Sequence, residues 1–85
     1  MAAKSIYRPE SRVLGKMLRE HRKKAGLNQT DLGARFGKSQ RYISSVECGR
    51  IVPDVLELRD HCGVLELDFI GFLIQFEERI ASELV

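Results

Sequence analysis

Tryptophan is absent from these 85 residues, proline and cysteine occur twice each, and no apolar run is longer than Phe69 to Ile74. A membrane span needs about 20 consecutive apolar residues, so that run excludes one. Two cysteines, Cys48 and Cys62, are too few for a disulfide framework. With His21 and His61 they lack finger-type spacing, because His61 and Cys62 are adjacent; two buried thiols and two ordinary histidines are expected, with no metal. No Val-, Thr- or Tyr-rich alternation argues for a sheet. The opening MAAKSIYRPES has no secretory apolar core, which places the chain in the cytoplasm. Neither a nucleophile–base pair nor a phosphate-cradling loop is present, so no enzymatic activity and no cofactor are expected. The length suits one domain without an added ligand-sensing unit, so no small-molecule ligand is expected either.

What is present is charge, unevenly divided. Residues 1–50 carry twelve Lys and Arg against four Asp and Glu, a net of +8; residues 51–85 carry two against eight, a net of −6, leaving +2 overall. One reading is a half that faces a polyanion; the other is an ordinary solvated coat.

The rest of the composition favours an all-α chain of five helices. Pro9 and Glu10 suit a first turn, and Val13, Leu14, Met17, Leu18 and His21 follow at helical spacing until Ala25-Gly26. Asn28 caps a short second helix anchored by Leu32 and Phe36 and stopped by Gly37. Ser39 caps a third, with Tyr42, Ile43 and Val46 inward and Gly49 at its end. Asp54 and Glu57 form a capping box opening a fourth helix, whose apolar face is expected to be Val55, Leu58, Cys62 and Leu65. Gly63 inside it costs about 1 kcal/mol relative to Ala, and close packing against a neighbour is the expected compensation. Asp68 caps a fifth helix running towards Val85.

Residues 27–49, LNQTDLGARFGKSQRYISSVECG, hold the informative unit. Two short helices meet at Gly37, each introduced by a side-chain cap, and neither buries enough surface to stand alone. A helix-turn-helix fits this arrangement, leaving the outer face of the second helix free for the DNA major groove. That face is polar: Ser39, Gln40, Arg41, Ser44 and Ser45. Gln pairs bidentately with adenine and Arg with guanine, for about 1–3 kcal/mol of discrimination each. The alternative is a merely solvated polar face, which leaves the tandem caps and the +8 half unexplained.

This segment resembles the Cro/repressor (xenobiotic-response-element-like, lambda-repressor-like) helix-turn-helix regulators. The likeness extends to SIYRPESRVLGKMLREHRKKAGL and DVLELRDHCGVLELDFIGFL, and so to about Leu73. The resemblance implies a compact five-helix domain and a bacterial or phage-encoded, sequence-specific regulator of transcription. Such a regulator is expected to be a repressor that binds double-stranded DNA. It implies base reading by Ser39, Gln40, Arg41 and Ser45, with Ser44 peripheral. Phosphate contacts are implied for Gln29, Lys38 and Arg50, with Gln29 also bracing Gln40. Arg22 and Glu47 match a structural salt bridge. The same scaffold serves antitoxins and restriction-modification controllers, and a protein-interaction adaptor is the alternative outside DNA binding.

Three positions depart from the family pattern. Gly33 stands in place of Ala, preserving close packing at a cost in helix stability. Cys48 replaces a polar or basic residue. Ile51 and Val52 replace a basic pair, which either weakens phosphate binding or supplies a protein interface.

The expected organisation is a flexible arm at 1–8, a DNA-binding domain at 9–67 and a C-terminal helix at 68–85. Lys4 and Arg8 make the arm basic, suited to the DNA backbone or minor groove, or leave it an untethered tail. In the last helix Phe69, Leu73, Phe76, Ile80 and Leu84 form an apolar stripe that is expected to be a homodimer interface, the alternative being that it folds back on its own domain.

Overall fold

The structure, a computed structural model, describes residues 8–84. The expected arm at residues 1–8 therefore lies outside the described residues except for Arg8. Five helices follow: α1 Pro9–Lys24, α2 Gln29–Ala34, α3 Gln40–Glu47, α4 Val55–Val64 and α5 Phe69–Glu83. Pro9 presets the first turn of α1, Glu10 lies near its positive end, and His21, Arg22, Lys23 and Lys24 occupy its last turn.

Short-range chemistry sets the other boundaries. Asn28 accepts the Asp31 N–H at 2.7 Å, and Ser39 Oγ accepts the Tyr42 N–H at 3.0 Å. Asp54 and Glu57 form a complete capping box, and Asp68 accepts the Gly71 N–H at 2.7 Å. Each cap contributes about 1 kcal/mol. A six-residue helix such as α2 depends on such terms. The turn between α2 and α3 passes through Gly37 at φ +73°, a left-handed conformation that suits glycine.

All five helices feed one core. Met17 and Leu18 of α1, Leu32 of α2 and Ile43 of α3 are fully buried at its centre, with Val46, Leu58, Cys62 and Phe72 around them. Two glycines bring backbones together. A methyl group at Gly15 would run into the carbonyls of Val46 and Glu47, and one at Gly33 into the carbonyl of Lys38. The close packing expected at Gly33 is present, and it bears directly on the turn that leads into α3.

Several expectations need correction. Val55 is 64% exposed, since α4 turns only Leu58 and Cys62 inward together with Leu65 beyond its end. Gly63 has no neighbour within 4 Å of an added methyl, so no tight packing offsets its cost; it lies on the outer side of the last turn of α4. Cys48 is exposed and Cys62 buried, because the chain leaves α3 at the surface. On α5, Phe69, Leu73, Phe76 and Ile80 are half-buried, packing in part against the chain's own core, and Leu84 is 40% exposed, so the stripe keeps part of its surface free. Helix α5 packs on the side of the core formed by α1 and α4. The outward apolar residues of α5 are Ile70 and Ile74, 62% and 56% exposed. No helix among the described residues is long and apolar enough to cross a membrane.

His61 is buried in this core, its ring edge-on to Phe36 at 5.2 Å between centroids. Neither ring nitrogen has a hydrogen-bond partner among the described residues. Burial pushes its pKa down to about 4, and the charge of Glu47 only partly opposes this. Between an unfolded value of about 6.5 and that folded value, the unfolded chain takes up a proton that the native state refuses. Stability is therefore full above pH 6.5 and falls as pH drops. About 2 kcal/mol should be lost between pH 7.5 and 5, as measured by urea unfolding. His61→Leu should abolish that slope; an unchanged slope would show that another group is responsible.

Candidate nucleic-acid interface

Helix α3 is set by a polar network that runs from the core to its exposed start. Arg22 on α1 and Glu47 at the end of α3 are both buried. Arg22 Nε donates to Glu47 Oε2 at 2.7 Å and Nη2 donates to Oε1 at 3.0 Å. The third arm, Nη1, donates to the Leu27 carbonyl at 2.8 Å, tying the loop before α2 to the same guanidinium. Such two-point Arg–carboxylate pairing fixes direction as well as distance.

Glu47 also accepts a hydrogen bond from Gln29 Nε2 at 3.0 Å. An anion beside Gln29 fixes which end of that amide points inward, so its carbonyl faces outward. That carbonyl accepts Gln40 Nε2 at 2.6 Å. Gln40 thus spends one N–H on Gln29 and keeps a second N–H and its carbonyl at the exposed start of α3. One donor beside one acceptor is the pattern that matches adenine in the major groove. The order of the network is fixed throughout: guanidinium, carboxylate, amide, amide.

The other residues implicated by sequence are distributed along α3 and just beyond it. Arg41 is exposed at the start of α3, Ser44 and Ser45 are half-buried, and Arg50 is exposed just past its end. Ser39 uses an oxygen lone pair to cap the helix and retains its hydroxyl proton as a donor. The Ser45 carbonyl accepts the N–H groups of Arg50 and Ile51 at 2.8 and 3.2 Å, which holds the exit from α3 in a turn. Ile51 and Val52 are exposed by 38% and 42%.

Lys38 is where the structure departs most from the simple expectation of a cation waiting for phosphate. Its Nζ is 3.1 Å from Glu57 Oε2 and 4.8 Å from the centre of the Tyr42 ring. The Tyr42 hydroxyl lies 3.5 Å from the other Glu57 oxygen. Burial first, and then the Glu57 charge, push the Tyr42 pKa up to about 12. Sequence reasoning saw Glu57 only as half of a capping box and Tyr42 only as a core residue. Lys38 precedes the cap of α3, so no helical spacing pointed to its contact with Tyr42, and nothing local pointed to Glu57.

Comparison with known proteins agrees with this architecture. The family described as Helix-turn-helix domain matches residues 13–68, which take in Arg22, Glu47 and the whole two-helix unit. The chain belongs to the helix-turn-helix domain family, as a transcriptional regulator of the Cro/repressor type. The ImmF control region 10 kDa protein of Bacillus phage phi105 is 30% identical over 74 residues, covering 87% of this chain and 81% of that protein. The uncharacterized HTH-type transcriptional regulator y4dJ of Sinorhizobium fredii (strain NBRC 101917 / NGR234) is 36% identical over 67 residues, covering 79% of this chain and 87% of that protein. In this helix-turn-helix regulator, α2 and α3 are the paired helices and α1 supports both.

Arg22→Met leaves the Glu47 carboxylate buried without its countercharge, and should cost the regulator about 3–5 kcal/mol in urea unfolding. The double variant Arg22→Met/Glu47→Leu should recover much of that loss. If the two single losses instead add, the pair is not coupled as its geometry implies.

Proposed function

We propose that the regulator binds a palindromic operator as a homodimer and represses transcription by occupying it. The observation that carries this reading is the Gln40 amide, held by Gln29 at the exposed start of α3 with a donor and an acceptor still available. Beside it, Arg41 is the guanine-reading residue, and Ser39 and Ser45 fill the remaining base-reading positions. Gln29, Lys38 and Arg50 contact phosphate, while Arg22 and Glu47 act beneath the surface. The division between a basic half and an acidic half supports an orientation with α1 to α3 towards DNA and α5 away from it.

The dimer reading rests on α5. Residues 9–67 form the DNA-binding part and residues 68–85 the dimerisation element, with a second copy packing on its outer side. There Ile70 and Ile74 add to the half-covered Phe69, Leu73, Phe76, Ile80 and Leu84. A two-fold dimer places two α3 helices in successive major grooves roughly 34 Å apart. The phage relative is named for a control region, which fits a repressor role.

Selection of bound sites from randomised duplex DNA should yield two inverted half-sites. Arg41→Ala should then weaken binding to the selected site by about 1–3 kcal/mol and relax the preference at one base pair per half-site. Unchanged affinity in Arg41→Ala would reject reading by α3 and favour an adaptor role for the fold. Selection of a single unrepeated half-site would reject the dimer.

A further inference from the structure

Lys38 is held from two sides before any ligand arrives. Its backbone N–H donates to the Gly33 carbonyl at 2.8 Å, so the residue has little freedom to move. Its side chain lies over Tyr42 and pairs with Glu57 at 3.1 Å. Lys38 directly precedes Ser39, the cap of α3, so phosphate approaching the start of the recognition helix meets this ammonium group together with its carboxylate partner. Asp54, which accepts the Glu57 N–H at 2.8 Å, adds a second negative charge from the same capping box. The side chains of Lys38 and Glu57 are 29% and 35% exposed. An ion pair that open to water is weak enough to exchange.

We propose that Glu57 competes with backbone phosphate for Lys38, and thereby lowers the sequence-independent part of DNA affinity and its salt dependence. The inference rests on the DNA-binding reading above. In the free protein the Glu57 carboxylate occupies the place a phosphate oxygen would take on Lys38. On binding, Lys38 is either shared between two anions or leaves Glu57 facing the phosphate backbone. Both outcomes reduce the net positive charge delivered to DNA at this point. Every duplex suffers this reduction equally, because phosphate contacts carry no base information. Base reading by Gln40 and Arg41 then supplies a larger share of the total affinity, while the ratio of specific to non-specific binding is unchanged. Glu57 is in this sense a residue that tunes overall affinity without touching DNA.

Glu57→Gln removes the charge and keeps the shape. Glutamine also completes a capping box, so α4 retains its start, and its carbonyl still accepts from Tyr42. The experiment measures binding of the full chain to a labelled mixed-sequence duplex of about 20 bp across a salt series, for wild type, Glu57→Gln, Lys38→Met and the double variant. Thermal melts monitor folding. Glu57→Gln should tighten binding at low salt and steepen the log-affinity against log-salt slope by up to about 0.9, so that about threefold more affinity is lost between 50 and 200 mM salt. In the Lys38→Met background the same substitution should change neither quantity. An equal effect in both backgrounds would show a general field of Glu57 and overturn the proposal, as would no effect in either. If wild type fails to bind the duplex even at low salt, the DNA-binding reading falls and this inference falls with it.

Discussion

The buried carboxylate of Glu47 accepts three hydrogen bonds, two from Arg22 and one from Gln29, and the position of every proposed base-reading residue follows from it. An unpaired charge at that depth costs several kcal/mol, so α1 and α3 are held in one relation by the need to keep Arg22 beside Glu47. Gly15 lets the two backbones approach at that crossing, since a side chain there would strike the carbonyls of Val46 and Glu47. Through Leu27 the same guanidinium places the entry to α2, and through Gln29 it orients the Gln40 amide. The salt bridge thus does less as a source of net stability than as a device that selects one arrangement of three helices.

Around that fixed centre the charge is graded. The basic half surrounds α1 to α3, and the acidic half supplies α4 and α5. The boundary runs through the Lys38–Glu57 pair, where the turn before α3 meets the start of α4. Affinity for a polyanion and discrimination among its sequences are set separately at such a boundary: free cations raise affinity for all DNA alike, whereas discrimination comes from the side chains that reach base edges.

Features governed by neighbours within four residues were legible from sequence alone. The caps at Asn28, Ser39, Asp54 and Asp68, which open α2 to α5, follow from side chains competing locally for backbone N–H groups, whereas α1 and the turn at Gly37 follow from Pro9 and from the backbone freedom of glycine. The Arg22–Glu47 pair, 25 residues apart, was reached through family resemblance and not through any local pattern. Features decided by long-range packing were not legible. The periodicity of α4 does not reveal that Val55 faces water, and the apolar stripe of α5 does not say how much of it the chain covers by itself. Glu57 has an evident local duty as a capping residue, which masked its contacts with Lys38 and Tyr42 across the domain.

The central claim is that α3, pinned by Arg22 and Glu47, is the surface that meets DNA. Backbone amide chemical shifts followed by NMR during titration with a duplex selected from randomised sequence test it most directly. The account predicts that the large perturbations fall between Asn28 and Arg50, strongest at Ser39, Gln40 and Arg41, while the amides of Phe69–Glu83 stay comparatively still. Perturbations centred on α5, with the start of α3 unmoved, would contradict it.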